Sequence, residues 1–316
     1  MTPKAKFQKL RDRFYIFRQQ LQGYPNLHRA FQQAHGYPLG LSNPLTHNER
    51  IIDKMLYDRD PLIPITSDKV RVREFVRQRL GNTLADQILI PVYHISKTGR
   101  DIPLRQWDHE IFLKANHGSS FNKLIQPGED PKVVSQLATQ WLNTSYGQAL
   151  HEWAYRDIPR RILCEQVLRD SQGQIPMDIK LYCYQGKCKM IYFYKDRFSQ
   201  PSQLITDEKG EIFPYLLKYG VSLMPELPML DTLPQLLQIA ELLSKGFRFC
   251  RVDLYSVEGR VYFGELTQYD GAGLEKIQSY EVDLAEGLLW LPEYQGHTLW
   301  EVYEEVMEKD LVSSGQ

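Results

Sequence analysis

The sequence predicts an α+β protein whose sheets are largely antiparallel. Three observations predict it. Apolar runs of strand length come in pairs joined by short, glycine-containing turns, which is hairpin chemistry. Helical apolar spacing recurs between these pairs, so helices and strands are mixed. The chain opens with no strand–Gly-rich-loop–helix signal of a parallel, doubly wound unit.

Residues 1–65 read as helical and irregular. "AKFQKLRDRFYIFRQQLQ" places Phe7, Leu10, Phe14, Phe17 and Leu21 at helical spacing. Another helix is expected from about Thr46, where Thr46 and Glu49 have capping-box spacing. "PLIPITSDKV" reads as a loop, and "SDKVRVREFVRQRLG" as a helix capped by Ser67 or Asp68 and stopped at Gly81. Strands then dominate: "ILIPVYHI", "EIFLKAN", and "SFNKLIQ", which returns from a polar turn. A helix runs from Pro131 to Gly147 and the strand "RRILCEQVL" follows. "MDIKLYCY" and "KCKMIYFYKD" flank a "QGK" turn, and "TDEKGEIFPY" is a turn-and-strand unit. After the amphipathic helix "TLPQLLQIAELLSKG", "FRFCRVDLYSVEGRVYFGELTQ" gives two strands joined through "SVEGR". "EVDLAEGLLWL" and "TLWEVYEEVMEKDLV" close the chain as helices.

A length of 316 residues, 42% hydrophobic and 24% charged, suits two or three packed lobes. The formal net charge of -1 lacks the basic excess of a non-specific nucleic-acid binder, so no nucleic-acid partner is expected. Cys164, Cys183, Cys188 and Cys250 form no CxxC pair and lie in apolar runs; they read as reduced, buried thiols, not a zinc site. No apolar run approaches the ~18 residues of a transmembrane helix, and the basic start lacks a signal-peptide core. A cytoplasmic protein is expected. Its basic start could lie on a membrane surface, but a solvated helix is the expectation. Oligomeric state is not legible.

Two stretches carry candidate chemistry. "KANHGSS", residues 114–120, leaves a strand through small polar residues, which makes either a plain turn or a phosphate cradle. Gly118 would let backbone approach phosphate, Ser119 and Ser120 can donate hydrogen bonds, and Lys114 brings a point charge. "RVDLYSVEGRVYFGELTQ" places Asp253 and Glu265 on consecutive strands where they could face each other. Two carboxylates ~4 Å apart at an effective dielectric of ~20 repel by about 4 kcal/mol. A proton, an arginine such as Arg251 or a divalent cation must offset that, unless the two are solvated separately.

In order, "SDKVRVREFV…LIPVYHI", "FLKANHGSSFNKLI", "RRILCEQVL", "MDIKLYCYQGK" and "FRFCRVDLYSVEGRVYFGELTQYDGAG" resemble the ATP-grasp superfamily. "NPLTHNERIIDKMLYDRDPL", "KANHGSS" and "YFGELT…GAGLEK" resemble its TupA-like branch, named for teichuronopeptide biosynthesis, over roughly residues 43–290. The resemblance implies an ATP-grasp fold: two α+β lobes with largely antiparallel sheets clamping ATP, preceded by a short helical segment. The implied divisions are a helical segment 1–65, a lead-in helix and strand 66–109, a first lobe 110–168, a second lobe with the metal site 169–295, and a terminal helix and tail 296–316.

It also implies a site. Lys69, Lys114, Gly118, Ser119 and Ser120 would meet the nucleotide from the first lobe. Glu165 would open the hinge, where backbone of Gln166 to Leu168 bonds the adenine edge and Leu168 packs on the ring; an ion-paired strand carboxylate is the alternative for Glu165. Lys180 would face the triphosphate, and Asp178 would orient Lys180 or touch the ribose. Arg251 would stabilise charge on the transferring phosphoryl group or on the tetrahedral intermediate. Asp253 and Glu265 would hold magnesium (or manganese) with Thr267, which stands where the superfamily commonly has Asn. With magnesium as their neutraliser, removing either carboxylate charge is expected to spare the fold. Gly271 and Gly273 would keep a loop small for a substrate carboxylate, with Asp270 in the place of a usual proline. Arg197 is a candidate grip for an anionic substrate. His117 is a loop histidine or a phosphate contact, and His151 has no assigned role.

The activity implied is an ATP- and Mg-dependent, ADP-forming carboxylate–amine ligase. It would act through an acyl phosphate on small-molecule carboxylate and amine substrates, an amino acid or sugar acid, in cell-envelope polymer or specialised-metabolite synthesis. The rival readings are a sugar-directed transferase of polysaccharide synthesis and a non-catalytic nucleotide-binding partner protein.

Overall fold

A computed structural model gives the architecture and describes residues 3–195, 200–213, 221–277 and 279–314. Four helices open the chain: α1 (Pro3–Leu21), α2 (Pro25–His35), α3 (His47–Tyr57) and the short α4 (Leu62–Thr66). The capping box forms: the Glu49 N–H donates to the Thr46 hydroxyl at 3.3 Å and the Thr46 N–H to the Glu49 carboxylate at 3.1 Å. No strand occurs among the described residues before β1, so a parallel nucleotide-binding unit is absent from them.

The loop expected over "PLIPITSDKV" contains α4, and the next helix, α5 (Val72–Leu80), starts later than a cap at Ser67 or Asp68 would place it. The cause is Asp68. Its carboxylate accepts the Val70 N–H at 2.9 Å and folds residues 67–71 into a turn. Lys69 is therefore a turn residue, not a helical one. Gly81 stops α5 with φ +77°, and α6 (Asn82–Ile88) then takes the first residue expected of a strand.

Cα packing divides the chain into two units. One holds residues 1–27, 59–75 and 89–168; the other holds 28–58, 76–88 and 169–316. The first unit is built on a four-stranded antiparallel sheet, β1 (Val92–Ser96), β2 (Ile111–Ala115), β3 (Asn122–Ile125) and β4 (Ile162–Gln166), in the order β1-β4-β2-β3. α7 (Pro131–Asn143), with Asp130 as N-cap, covers it through Val134, Ala138 and Trp141, which join Ile111, Leu113, Ala115, Ile125, Ile162 and Cys164 in one core.

The second unit is built on a seven-stranded sheet. Its path is β11-β10-β5-β6-β7-β8, with β9 beside β7. The strands are β5 (Asp178–Tyr184), β6 (Lys187–Lys195), β7 (Ser202–Thr206), β8 (Ile212–Phe213), β9 (Ser222–Leu223), β10 (Phe249–Val257) and β11 (Arg260–Thr267). Every pairing is antiparallel except β7 with β9. Both long hairpins turn through two residues at positive φ, Gln185–Gly186 and Glu258–Gly259, as the right-handed twist of the strands demands. α8 (Leu233–Ser244) packs on β5, β6 and β10, while α3 packs on α9 (Tyr280–Leu288), which in turn meets α10 (Leu299–Ser314). All four cysteines are buried free thiols. No described helix is long and apolar enough to cross a membrane.

Candidate active site

In the first unit, strand alternation creates the site face. Ile111, Leu113 and Ala115 enter the core, so Phe112 and Lys114 take the other side of β2. By the same alternation Leu163 and Glu165 take that side of β4. Register sets Phe112 opposite Glu165 and Lys114 opposite Leu163. Lys114 Nζ lies 2.6 Å from Glu165 Oε2, and Arg73 Nη1 approaches the same carboxylate at 3.9 Å, too far for a hydrogen bond. Glu165 is thus an ion-paired strand carboxylate held by Lys114.

The turn after β2 is tied down by Asn116, a residue that sequence reasoning quoted but gave no role. Fully buried, Asn116 donates to Asp68 Oδ1 at 2.7 Å and to the Pro159 carbonyl at 3.0 Å, and accepts the Arg161 N–H at 2.6 Å. The Lys69 N–H donates to the Asn116 carbonyl at 3.2 Å, and Lys69 Nζ to the Gly118 carbonyl at 3.2 Å. Lys69 and Lys114 are thereby brought to one loop. Burial pushes the Asp68 carboxyl up, and the Asn116 amide and the N–H groups it accepts work against that.

Packing gives this glycine a reason of its own. A Cβ on Gly118 would lie 2.7 Å from the Tyr146 ring, so close packing by an aromatic demands the residue whether or not phosphate approaches. His117 is buried, with Nε2 3.2 Å from the Thr144 carbonyl; burial pushes its imidazole down to about 4, so it is neutral at pH 7. Ser119 and Ser120 are exposed, Ser120 at φ +63°. Gln166 is exposed too, but its N–H already donates to the Pro91 carbonyl at 3.0 Å, so that group is not left for an adenine edge. Leu168 is half-buried at the end of the unit.

In the second unit, β5, β10 and β11 align two rows of side chains on one sheet face. Register places Lys180 opposite Asp253 and Asp253 opposite Glu265; one step along, Tyr182 lies opposite Arg251 and Arg251 opposite Thr267. A bulge makes the second alignment possible. Leu254 pairs with Phe263 and Asp253 with Glu265, so Gly264 is the extra residue. Burial follows suit: Val261 and Phe263 are buried, then the parity breaks and Leu266 is buried. A Cβ on Gly264 would lie 2.9 Å from the Asp253 carbonyl oxygen. The sequence signal was present, as a glycine interrupting apolar alternation.

The rows are a continuous ion-pair network. Arg251 holds both oxygens of Asp253, Nε to Oδ1 at 2.7 Å and Nη2 to Oδ2 at 2.8 Å. Lys180 Nζ donates to Asp253 Oδ2 at 2.8 Å. Arg251 Nη1 donates to Asp270, whose other oxygen accepts the Tyr182 hydroxyl at 2.7 Å. Arg251 Nη2 also donates to the Thr267 hydroxyl at 3.1 Å, and that hydroxyl donates to Glu265 Oε1 at 3.2 Å. Burial would raise the Asp253 carboxyl, but Arg251 and Lys180 reverse this and hold it well below the usual carboxylate range. Burial likewise opposes the Arg251 charge, and Asp253 and Asp270 overcome it.

This corrects one expectation. Asp253 is neutralised by Arg251 and Lys180, not by a metal alone, so removing its charge does not simply relieve repulsion from Glu265. Glu265 is the looser member, with its side chain 38% exposed against 7% for Asp253. Asp178 is buried two positions before Lys180 on β5, on the same strand face.

Gly271 and Gly273, with Ala272 between them, all have positive φ. A Cβ on Gly273 would lie 2.7 Å from the Asn48 carbonyl oxygen and from Ile52, so this glycine lets the turn meet α3 and is buried there instead of lining an open loop. Gly271 is exposed; a Cβ on it would meet Glu275 at 2.5 Å. α3 also supplies Lys54, which no sequence pattern marked. Fully buried, its Nζ donates to the Phe249 carbonyl and to Gln268 Oε1, each at 2.6 Å, and so ties the start of β10 to the residue after β11. Arg197 lies outside the described residues.

Among the described residues, no group of three or more His, Cys, Asp or Glu side chains is arranged to hold a metal by itself. The donor set still suits magnesium shared with phosphate. That ion takes one or two protein carboxylates and completes its shell with phosphate oxygens and water. Asp253, Glu265 and Thr267 offer that set, provided Arg251 or Lys180 releases Asp253 to accept a phosphate oxygen instead.

The TupA-like ATP-grasp family model matches residues 49–290. No curated protein matches the chain. Among solved structures, D-alanine–D-alanine ligase from Bacillus anthracis complexed with ATP is similar at 14% identity and TM-score 0.42, covering 76% of this chain and 68% of that one. The VanG D-Ala:D-Ser ligase from Enterococcus faecalis is similar at 11% identity and TM-score 0.43, covering 77% and 61%. The ATP-grasp ligase PsnB complexed with minimal precursor is similar at 11% identity and TM-score 0.36, covering 66% of this chain and 53% of that one. The chain thus spans about half the length of the PsnB structure it matches, 53%.

Proposed function

We propose that this chain, which belongs to the TupA-like ATP-grasp family, is an ADP-forming, ATP- and magnesium-dependent carboxylate–amine ligase. One observation carries the reading: the two sheet faces hold charge of opposite sign. On the first, Lys114 and Arg73 surround a single acid, Glu165, with Lys69 on the adjoining loop. That excess of cation suits phosphate oxygens. On the second, Asp178, Asp253, Glu265 and Asp270 outnumber Lys180 and Arg251. That excess of anion suits a divalent cation.

The roles follow from the atoms. Lys114 and Lys69 hold phosphate oxygens. Asp253 and Glu265, with the Thr267 hydroxyl, hold magnesium. Arg251 and Lys180 neutralise charge on the transferring phosphoryl group, as phosphoryl transfer needs positioning and electrostatics more than a nucleophilic side chain. ATP supplies the γ-phosphoryl group that activates the substrate carboxylate; an amine then displaces phosphate to give an amide. The substrates are an amino acid or sugar acid and an amine, in cell-envelope polymer or specialised-metabolite synthesis, inside the cytoplasm.

The test is to incubate the protein with ATP, magnesium and pooled amino acids and to assay ADP and phosphate. Substrate-dependent ADP release is expected. AMP with pyrophosphate would replace this reading with adenylation. Nucleotide binding without turnover would replace it with a non-catalytic partner protein, a role the mutual pairing of Asp253, Arg251 and Lys180 would also serve.

A further inference from the structure

A surface helix ordinarily buries its apolar stripe and exposes its polar one. α1 does the reverse. Leu10, Phe14, Phe17 and Leu21 share one arc of the helix, roughly 60° wide at about 100° per residue. They are 67%, 68%, 56% and 73% exposed. The side that faces the protein is polar: Gln19 is buried and its Oε1 accepts the Asn26 N–H at 3.2 Å. The Tyr15 hydroxyl accepts a hydrogen bond from Asn26 Nδ2 at 3.1 Å, and the Tyr15 ring stacks on the buried His151 at 6.2 Å. Asp12 supports the charge of Arg160 from the same side. The helix is anchored by its polar face, so the apolar face points outward by construction.

Charge says what covers it. Residues 3–21 carry six cations, Lys4, Lys6, Lys9, Arg11, Arg13 and Arg18, against one acid, Asp12, in a chain whose formal net charge is -1. Arg11 and Arg18 flank the apolar arc on one side and Arg13 on the other, all exposed. A second copy of the helix would bring cation against cation along both edges. An anionic lipid surface accepts apolar side chains at the acyl boundary and cations at the headgroups together.

We propose that α1 is an interfacial helix that docks the protein reversibly on anionic membranes, through Leu10, Phe14, Phe17 and Leu21 with Arg11, Arg13 and Arg18 at the headgroups. The proposal is independent of the ligase reading, and its test does not use turnover. Full-length protein is sedimented with phosphatidylcholine vesicles with and without phosphatidylglycerol. Binding only to the phosphatidylglycerol vesicles is expected, weakened by added salt because the charge contribution is screened. The triple variant Arg11→Gln, Arg13→Gln, Arg18→Gln lowers partitioning roughly 100-fold. The double variant Phe14→Ser, Phe17→Ser lowers it at least about tenfold. Both keep the parent melting temperature, since every altered position is exposed. No binding to phosphatidylglycerol vesicles, or binding that the double variant retains, overturns the proposal. So does a solution dimer that the double variant disperses, because the stripe would then belong to a second copy.

Discussion

Glu165 and Asp253 are the same device built in two ways. Each is a carboxylate approached by two cations on an antiparallel sheet face. Around Glu165 one contact is close: Lys114 is bonded at 2.6 Å, while Arg73 stands off at 3.9 Å. Around Asp253 the pairing propagates, through Arg251 to Asp270, Tyr182, Thr267 and Glu265. Losing Lys114 would leave Arg73 facing Glu165. Losing Arg251 would strip a cation from Asp253 and Asp270 at once, and an orphaned charge in low dielectric is costly. The contrast separates a carboxylate held at one close contact from one held at several.

The largest expected effect tests that separation. Arg251→Ala leaves Asp253 and Asp270 buried with their shared cation gone, and should destabilise the fold by about 3–5 kcal/mol, the usual cost of breaking one side of a buried pair. Asp253→Asn should lie in the same direction. Glu265→Gln, at the exposed end, should leave the melting temperature near that of the parent while ADP formation is lost. Thermal melts and ADP assays on the three variants decide it. Equal melting temperatures for all three would dissolve the distinction between network and rim.

Lys114→Ala sharpens the other side of the comparison. It should cost less stability than Arg251→Ala, because Arg73 still faces the buried Glu165 carboxylate. Turnover should fall roughly 10²–10³-fold, the size of losing one preorganised donor. A melt as low as that of Arg251→Ala, or unchanged nucleotide affinity, would mean that Lys114 serves the sheet and not the ligand.

The smallest effect is a pH dependence to which buried groups of the first unit contribute. His117 and His151 are both pushed down to about 4 by burial. Between about pH 6.5 and 4 the unfolded chain binds protons that these imidazoles refuse when folded, so stability falls as pH drops through that window. Glu152, pushed up to about 7 by burial, acts in the opposite sense: folded, it keeps its proton between about pH 4.5 and 7, which favours the fold on acidification. The His117 contribution is isolated by comparison: His117→Gln should lose less stability than the parent as pH falls from about 6.5 to 4. A profile unchanged by that substitution would show that His117 titrates normally.

The elements and their antiparallel pairing were legible in the sequence because alternation, capping and hairpin turns are local signals. So were the positions of Lys114, Glu165, Lys180, Arg251, Asp253 and Glu265 on strands. The partners were not. Asp270 showed only as a departure from a proline, and nothing local says that it takes the far side of Arg251. Lys54, Asn116 and Tyr182 act over sequence separations of 214, 48 and 88 residues. At Asp68 the side chain makes a turn where a helix cap was expected, which delays α5. The glycines are ambiguous for a physical reason: space for a ligand and space for a neighbouring side chain ask for the same absent Cβ, and Gly118 and Gly273 lie against Tyr146 and α3.

The bulge at Gly264 has one more effect. On β11 it works as a phase shift between two alternations, one governing the hairpin tip and the other governing Glu265 and Thr267. Residues 254–263 can keep their own inward and outward pattern without setting the direction of the site pair. The tip is therefore modular: lengthening or shortening the hairpin beyond Leu254 and Phe263 by matched residues would leave Asp253 opposite Glu265. Variation among relatives should gather at the "SVEGR" turn and stop abruptly at this glycine.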